Sequence, residues 1–383
     1  MICLIFRENI IIMKKLITLL TLCFFLFIGS TAFKKDKEDL KSNFVNGDAQ
    51  VASINKLSFG PEGILFIGDS KNATIYAIDT KDNQKKEKSD NINISDFDTK
   101  VASSLGTTTK NVKITDMAVN PVSKNVYISV NITDGTPVLL RLKGETLEHV
   151  SLKDISYSKT ELSDAVAADA KDKRGRALRI WAISDLKYYK GKLMVSGLSN
   201  KEFSSTFRSI DFPFNKKQEA ASLEIYHAAH ARYETYAPIK AFDFVSIENK
   251  DYLLASYTCT PLVLFSLEEL KGGKHLKGRT IAELGAGNSP IDIINYTKNG
   301  EQHYFMANSN RPVMRIAYKD IVNFKESMTN PVTEFAKAEG VAYDNLPFVN
   351  VLQLDNLDAE NALFLRRTRD GDLVLHSRAK QWM

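Results

Sequence analysis

The chain has 383 residues, 44% hydrophobic and 25% charged, which excludes a wholly disordered, collagen-like or coiled-coil protein. Its 51 basic and 46 acidic residues leave a net charge of +5, too balanced for a nucleic-acid binder. The function therefore has to be read from patterns, taken here from the N-terminus onward.

Met13-Lys14-Lys15 precedes an apolar stretch, 16–29, broken by Thr18, Thr21 and Cys23, and Ser30-Thr31-Ala32 follows. A basic start, a short apolar centre and a small-residue exit read as a secretory signal peptide over 1–32, with Met13 as the expected true start. The run is too short to span a bilayer comfortably. The expected product is secreted, periplasmic or extracellular. Residues 33–383 are expected to form a single soluble domain with no integral membrane segment. Cleavage removes Cys3 and Cys23 and leaves Cys259, so no intramolecular disulfide is expected. The mature balance is 48 bases against 45 acids, or +3.

The remainder repeats. Apolar residues flanking an acid open each unit: ITDM at 114–117, ISDL at 183–186, AFDF at 241–244 and PIDI at 290–293. Weaker copies are INKL at 54–57 and FVNV at 348–351. The equivalent positions are Lys56, Asp116, Asp185, Asp243, Asp292 and Asn350, spaced by 60, 69, 58, 49 and 58 residues. A second strand pattern follows each copy, at 65–67, 126–130, 193–195, 252–256, 304–307 and 362–365. A third follows at 74–78, 138–142, 262–265, 313–316 and 373–375. Pro137, Pro261 and Pro312 open three of these third strands, where a sheet tolerates proline. Short apolar strands, three or four to a unit and about six units, predict an all-β protein. The predicted architecture is a β-propeller of six blades, with seven as the alternative count and short helices in the loops. Residues 44–53 are expected to add the outer strand of the last blade. A capping-box pattern predicts a short helix opening at 266–269, and 161–173 is a second helix candidate.

The stretch LSFGPEGILFIGDSKNATIYAID, 57–79, resembles a blade of the soluble six-bladed propellers, the group holding NHL repeats and gluconolactonase-like enzymes. Enzymes of that group hold a divalent metal on the axis with acids and amides, which the resemblance would carry to Asp116, Asp185, Asp243, Asp292 and Asn350. Lys56 at the first blade's axial position departs from such a set.

In a propeller, the loops leading into inner strands and the loops joining second to third strands share one face. That face is the expected functional mouth. Oxygen-rich ligands suit calcium or another divalent ion on the aspartates. The other reading of each aspartate is a turn-fixing acceptor of backbone N–H groups. His227 and His230, three apart, are candidates for proton transfer or, with Cys259, for a zinc or copper site. Arg208, Arg311, Asn308, Asn310, Asn200 and Cys259 are the candidate ligand-binding residues, the arginines suiting an anion. Arg174, Arg176 and Arg179 form a further basic cluster. No Cys-x-x-Cys-His, P-loop, Rossmann fingerprint or Gly-x-Ser-x-Gly is present, so no c-type haem and no nucleotide cofactor are expected. Three functions fit. The first is an exported propeller that binds a small anionic ligand or a periplasmic or extracellular protein. The second is a metal-dependent hydrolase, lactonase-like. The third is a periplasmic redox subunit with a copper site.

Overall fold

Six first strands line a common axis: Lys56–Phe59, Val112–Val119, Asp185–Tyr189, Ala241–Ile247, Pro290–Lys298 and Val351–Asn356. Each pairs antiparallel with a second strand, and each second strand with a third. The protein is an all-β, six-bladed β-propeller whose described residues include two short α-helices, Phe97–Ser104 and Tyr318–Asn323, in the loops. The computed structural model describes residues 39–383, so the signal-peptide reading of 1–32 lies outside the described residues. Among the described residues no helix is long and apolar enough to cross a membrane.

Each blade is sandwiched between two others, so its middle strands are buried on both faces. This is why Ile64–Asp69 and Thr74–Asp79 read as nearly unbroken apolar runs and not as alternating ones. The core is accordingly divided into slabs between blades. Leu254 and Leu264 of blade four meet Tyr304 and Met306 of blade five. Val126 and Ile128 of blade two meet Leu363 and Leu365 of blade six. The joint between blades one and three is aromatic, with the Phe66 and Phe212 rings edge to face at 4.8 Å.

The ring order is not the chain order. Blade one touches blades two and three, and blade two also touches blade six. Reading round the axis gives three, four, five, six, two, one. The chain leaving blade one must therefore pass blade two before entering it. On the way Asn93–Ile94 pairs with the third strand of blade six, Leu373–Ala379. The helix Phe97–Ser104 then buries Phe97 and Val101 between blades two and six. After blade two the chain crosses the outside of blade one, and Ile155–Glu161 pairs there with Thr74–Asp79. Borrowed outer strands thus lace blades one, two and six together and close the ring, and Cys259, the one cysteine among the described residues, is a free thiol.

Four local expectations are corrected. Val45–Gly47, within 44–53, joins blade one through Ile155–Glu161, and blade six is closed by Asn93–Ile94 instead. Residues 266–269 form a turn, because the Glu269 N–H reaches the Ser266 carbonyl and the chain does not continue as helix. The helix expected over 161–173 is absent; turns and isolated bridges occupy it. Arg208 lies within the third strand of blade three, Ser205–Asp211, and not on a mouth loop.

Candidate functional site

A channel cavity of about 370 Å³ runs along the axis. Asp116, Asp185, Asp243, Asp292 and Asp355 line it, with Lys56 and Lys187. The four aspartates singled out by the repeat do converge on the axis. Asn350 does not: it is exposed, at φ 56 in the turn before its strand, and the blade-six acid is Asp355. From these acids the lining continues to Phe59, Val119, Tyr188 and Asn356, toward the C-terminal ends of the inner strands. The cavity therefore extends away from the face where the mouth was expected.

Each acid ties its blade to the next one round the ring. Asp116 Oδ2 accepts the Leu57 N–H at 2.7 Å, Asp185 Oδ2 that of Phe242 at 3.1 Å and Asp292 Oδ2 that of Leu354 at 2.9 Å. Asp355 Oδ2 accepts the Val119 N–H at 2.8 Å, and Asp243 Oδ2 accepts the Asn295 amide at 2.9 Å. Blade one contributes a cation: Lys56 Nζ lies 3.3 Å from Asp116 and 3.9 Å from Asp292. Burial would lower the Lys56 ammonium, but Asp116, Asp292 and Asp185 overrule it and raise it. Burial raises Asp116, Asp185 and Asp292, with the Lys56 charge opposing. Burial also pushes Asp355 to about 6, against the Val119 and Asn356 N–H groups.

A raised carboxylate binds its proton more tightly in the folded state than in the unfolded one. Its stabilising effect is present at low pH and is lost as pH rises through the folded value. The Asp355→Asn variant is therefore expected to gain on the wild type as pH is raised from about 4.5 to 7. Paired urea unfolding curves across that range check this, and a gap that stays constant with pH refutes it.

The second constellation is on the face predicted from the loops. The third blade's strand Gln218–His227 ends in a 3₁₀ turn, Ala228–His230, and returns as Arg232–Glu234. Ala231 at φ 54 permits the reversal, and the register sets His227 against Arg232 and Ile225 against Glu234. One carboxylate then serves both imidazoles: Glu234 Oε2 is 3.1 Å from His227 Nδ1 and Oε1 is 2.7 Å from His230 Nδ1. Burial alone would raise Glu234. The His227 and His230 contacts and the Arg232 guanidinium bring it down to about 2. With both Nδ1 atoms donating to a carboxylate, each Nε2 is left as a lone-pair donor. His227 is 2% exposed and its Nε2 has no hydrogen-bond partner among the described residues.

Cys259 arrives from the second-to-third-strand turn of blade four. Cys259 and Thr260 sit at φ 67 and 61, two successive left-handed residues, the second β-branched. Thr260 is held by its Oγ1 on the Gly285 carbonyl, and the Cys259 N–H donates to the Asn288 carbonyl at 2.7 Å. The result places one donor atom each of His227, His230 and Cys259 within 4.8 Å of one another. Glu283, fully buried, accepts the Ala229 N–H on Oε2, which is 3.8 Å from His227 Nε2. Burial raises the Glu283 carboxyl to about 7, against the Ala229 and Ala228 N–H groups.

Of the candidate ligand residues, Asn308, Asn310, Arg311 and Cys259 all bond to the 286–288 loop or its side chains. Asn200 and Arg208 lie apart, in blade three beside the 163–164 segment. Arg208 is 0% exposed, with Nε and Nη1 unpartnered. Arg176 pairs with Asp172, and Arg179 donates to the Val166 carbonyl.

No protein-family model and no curated protein matches the chain. Solved structures do. Drosophila Plexin A, in complex with Semaphorin 1b, aligns at 10% identity and TM-score 0.38 over 88% of this chain and 86% of that one. The aldose sugar dehydrogenase of Streptomyces coelicolor, in its PQQ-bound form, aligns at 12% identity and TM-score 0.31 over 88% and 98%. The WD40 β-propeller domain of Doa1 aligns at 8% and 0.31 over 88% and 96%.

Proposed function

We propose that this chain is a metal-holding propeller whose centre is one transition-metal ion, copper or zinc, bound by His227 Nε2, His230 Nε2 and Cys259 Sγ. The observation that carries the reading is that one donor atom each of His227, His230 and Cys259 lies within 4.8 Å of the others, with the Nδ1 atoms of both histidines held by Glu234. Two imidazoles and a thiolate are a set that soft and borderline ions select. A carboxylate behind a ligating histidine fixes its tautomer and raises its basicity.

The alternatives draw less support. The axial aspartates, the basis of the calcium-dependent lactonase reading, are each committed to the neighbouring blade. An anionic ligand would need open guanidinium groups, whereas Arg208 is buried and Arg311 Nη2 contacts the Ala286 and Ala336 carbonyls.

Elemental mass spectrometry on the purified, metal-loaded and desalted protein tests the reading. One equivalent of copper or zinc per chain is expected, kept by Asp185→Asn/Asp243→Asn and lost by Cys259→Ser and His230→Ala. A metal-free wild type, or metal retained in both site variants, overturns it.

A further inference from the structure

Independently of the metal reading, we infer that blade three carries a separate site, a small cavity in which Arg208 holds one inorganic anion the size of chloride, bromide or nitrate. Arg208 has no solvent exposure. Its Nη2 donates to the Ser163 carbonyl at 3.3 Å, whereas Nε and Nη1 have no hydrogen-bond partner among the described residues. Nε carries one hydrogen and Nη1 two, so three N–H donors of one buried guanidinium are left without an acceptor. The same residue lines a cavity of about 60 Å³, together with Ser199, Thr206, Ser222 and Lys274. The sheet explains the grouping. Thr206 and Arg208 alternate onto one face of Ser205–Asp211, and the register sets them against Ser222 and Ala220 of Gln218–His227.

Charge decides what the cavity takes. Burial pulls the Arg208 guanidinium down to about 10, with Asp164 opposing, which leaves it charged at neutral pH. A buried charge without a counter-charge is strongly unfavourable. Asp164 is the one acid in the lining; its side chain is half in solvent and pairs with Lys201 at 3.1 Å. With Lys274, the lining holds three cationic side chains against that single carboxylate. Size decides which anion. One water needs about 10–15 Å³ of such a cavity, so 60 Å³ admits a few waters or one ion of a few atoms. A larger ligand docking from solvent does not meet a guanidinium with no exposure, but an ion enclosed beside it does. Such an ion has a structural consequence. It ties the 163–164 segment, which follows the strand Ile155–Glu161 on the edge of blade one, to blade three.

Urea unfolding of the full chain in sodium bromide and in sodium gluconate, at one ionic strength, tests this. Bromide is expected to stabilise the wild type, raising its folding constant by about ten-fold for each decade of bromide above the dissociation constant. Arg208→Met, which keeps an apolar stem and removes the guanidinium, is expected to lose that dependence. Crystals of the wild type grown in bromide are expected to show one bromide, by its anomalous scattering, in contact with the Arg208 guanidinium, and this measurement stands even where the variant fails to fold. A wild type equally stable in the two salts overturns the site. So does a bromide dependence that survives in Arg208→Met. A crystal that shows water alone on the guanidinium, or the Asp164 carboxylate turned onto it, overturns it as well.

Discussion

Replacing Lys56 by methionine is expected to destabilise the propeller by about 3–5 kcal/mol at neutral pH, the usual cost of leaving buried charges without their partner. Methionine replaces the apolar stem of lysine almost to its full length and leaves out the ammonium, so packing against the inner strands changes little. The ammonium, 3.3 Å from Asp116 and 3.9 Å from Asp292, disappears, and with it the positive charge nearest those two acids. Lys187 stands near Asp243, at 3.8 Å, and does not replace it. Protonation of the orphaned acids relieves part of the repulsion, so the deficit is expected to grow as pH rises. Adding Asp116→Asn to Lys56→Met is expected to return a large part of the loss, since the two sites share one interaction. Urea denaturation of the wild type, the single variants and the double variant measures all of this. A loss below about 1 kcal/mol for Lys56→Met would place the pair among solvent-screened contacts and refute the argument.

That axial set was partly legible in the sequence, and the reason is physical. A blade is buried on both faces, so its strands are written as short apolar runs, and an acid interrupting such a run stands out at Asp116, Asp185, Asp243 and Asp292. Asp355 was hidden because FVNV imitates the motif while Asn350 falls in a left-handed turn just ahead of the strand. The interlacing of blades one, two and six was not legible at all. Which sheet edge a two-residue strand such as Asn93–Ile94 joins is decided by closure of the ring, not by its local pattern. The His227–His230 spacing and Cys259 on the next loop could be read, because a hairpin end and a turn of neighbouring blades meet on one face. Glu283 carries no spacing signal. It is one acid at the end of the strand Arg279–Glu283, and only the fold aims it at His227.

Glu234→Gln is expected to weaken metal binding by about 10–100-fold while leaving the axial channel as it is. The isosteric amide separates electrostatics from shape. Glu234 Oε1 accepts from His230 Nδ1, Arg232 Nε and the Tyr236 hydroxyl, and Oε2 accepts from His227 Nδ1. A glutamine presents an acceptor on one side and an NH₂ on the other. If the amide oxygen keeps the three donors on the Oε1 side, the NH₂ faces His227 Nδ1. That nitrogen must then act as acceptor, which moves the ring proton to Nε2 and removes the lone pair aimed at the metal. If the amide is flipped, the NH₂ meets Arg232 and Tyr236 as well as His230, and the hairpin end loses its anion. Either orientation disables one imidazole as a ligand. Nitrogen NMR of the metal-free protein reads the tautomers directly, and titration with zinc reads the affinity. Both histidines are expected as Nδ1–H tautomers in the wild type, with at least one switched in the variant. Unchanged tautomers together with unchanged affinity would show that the ring orientations are set by packing and not by Glu234. The Cys259→Ser variant, which leaves the carboxylate and both imidazoles alone, is expected to lose affinity without any change of tautomer, which separates the loss of a ligand from the loss of the group that orients two of them.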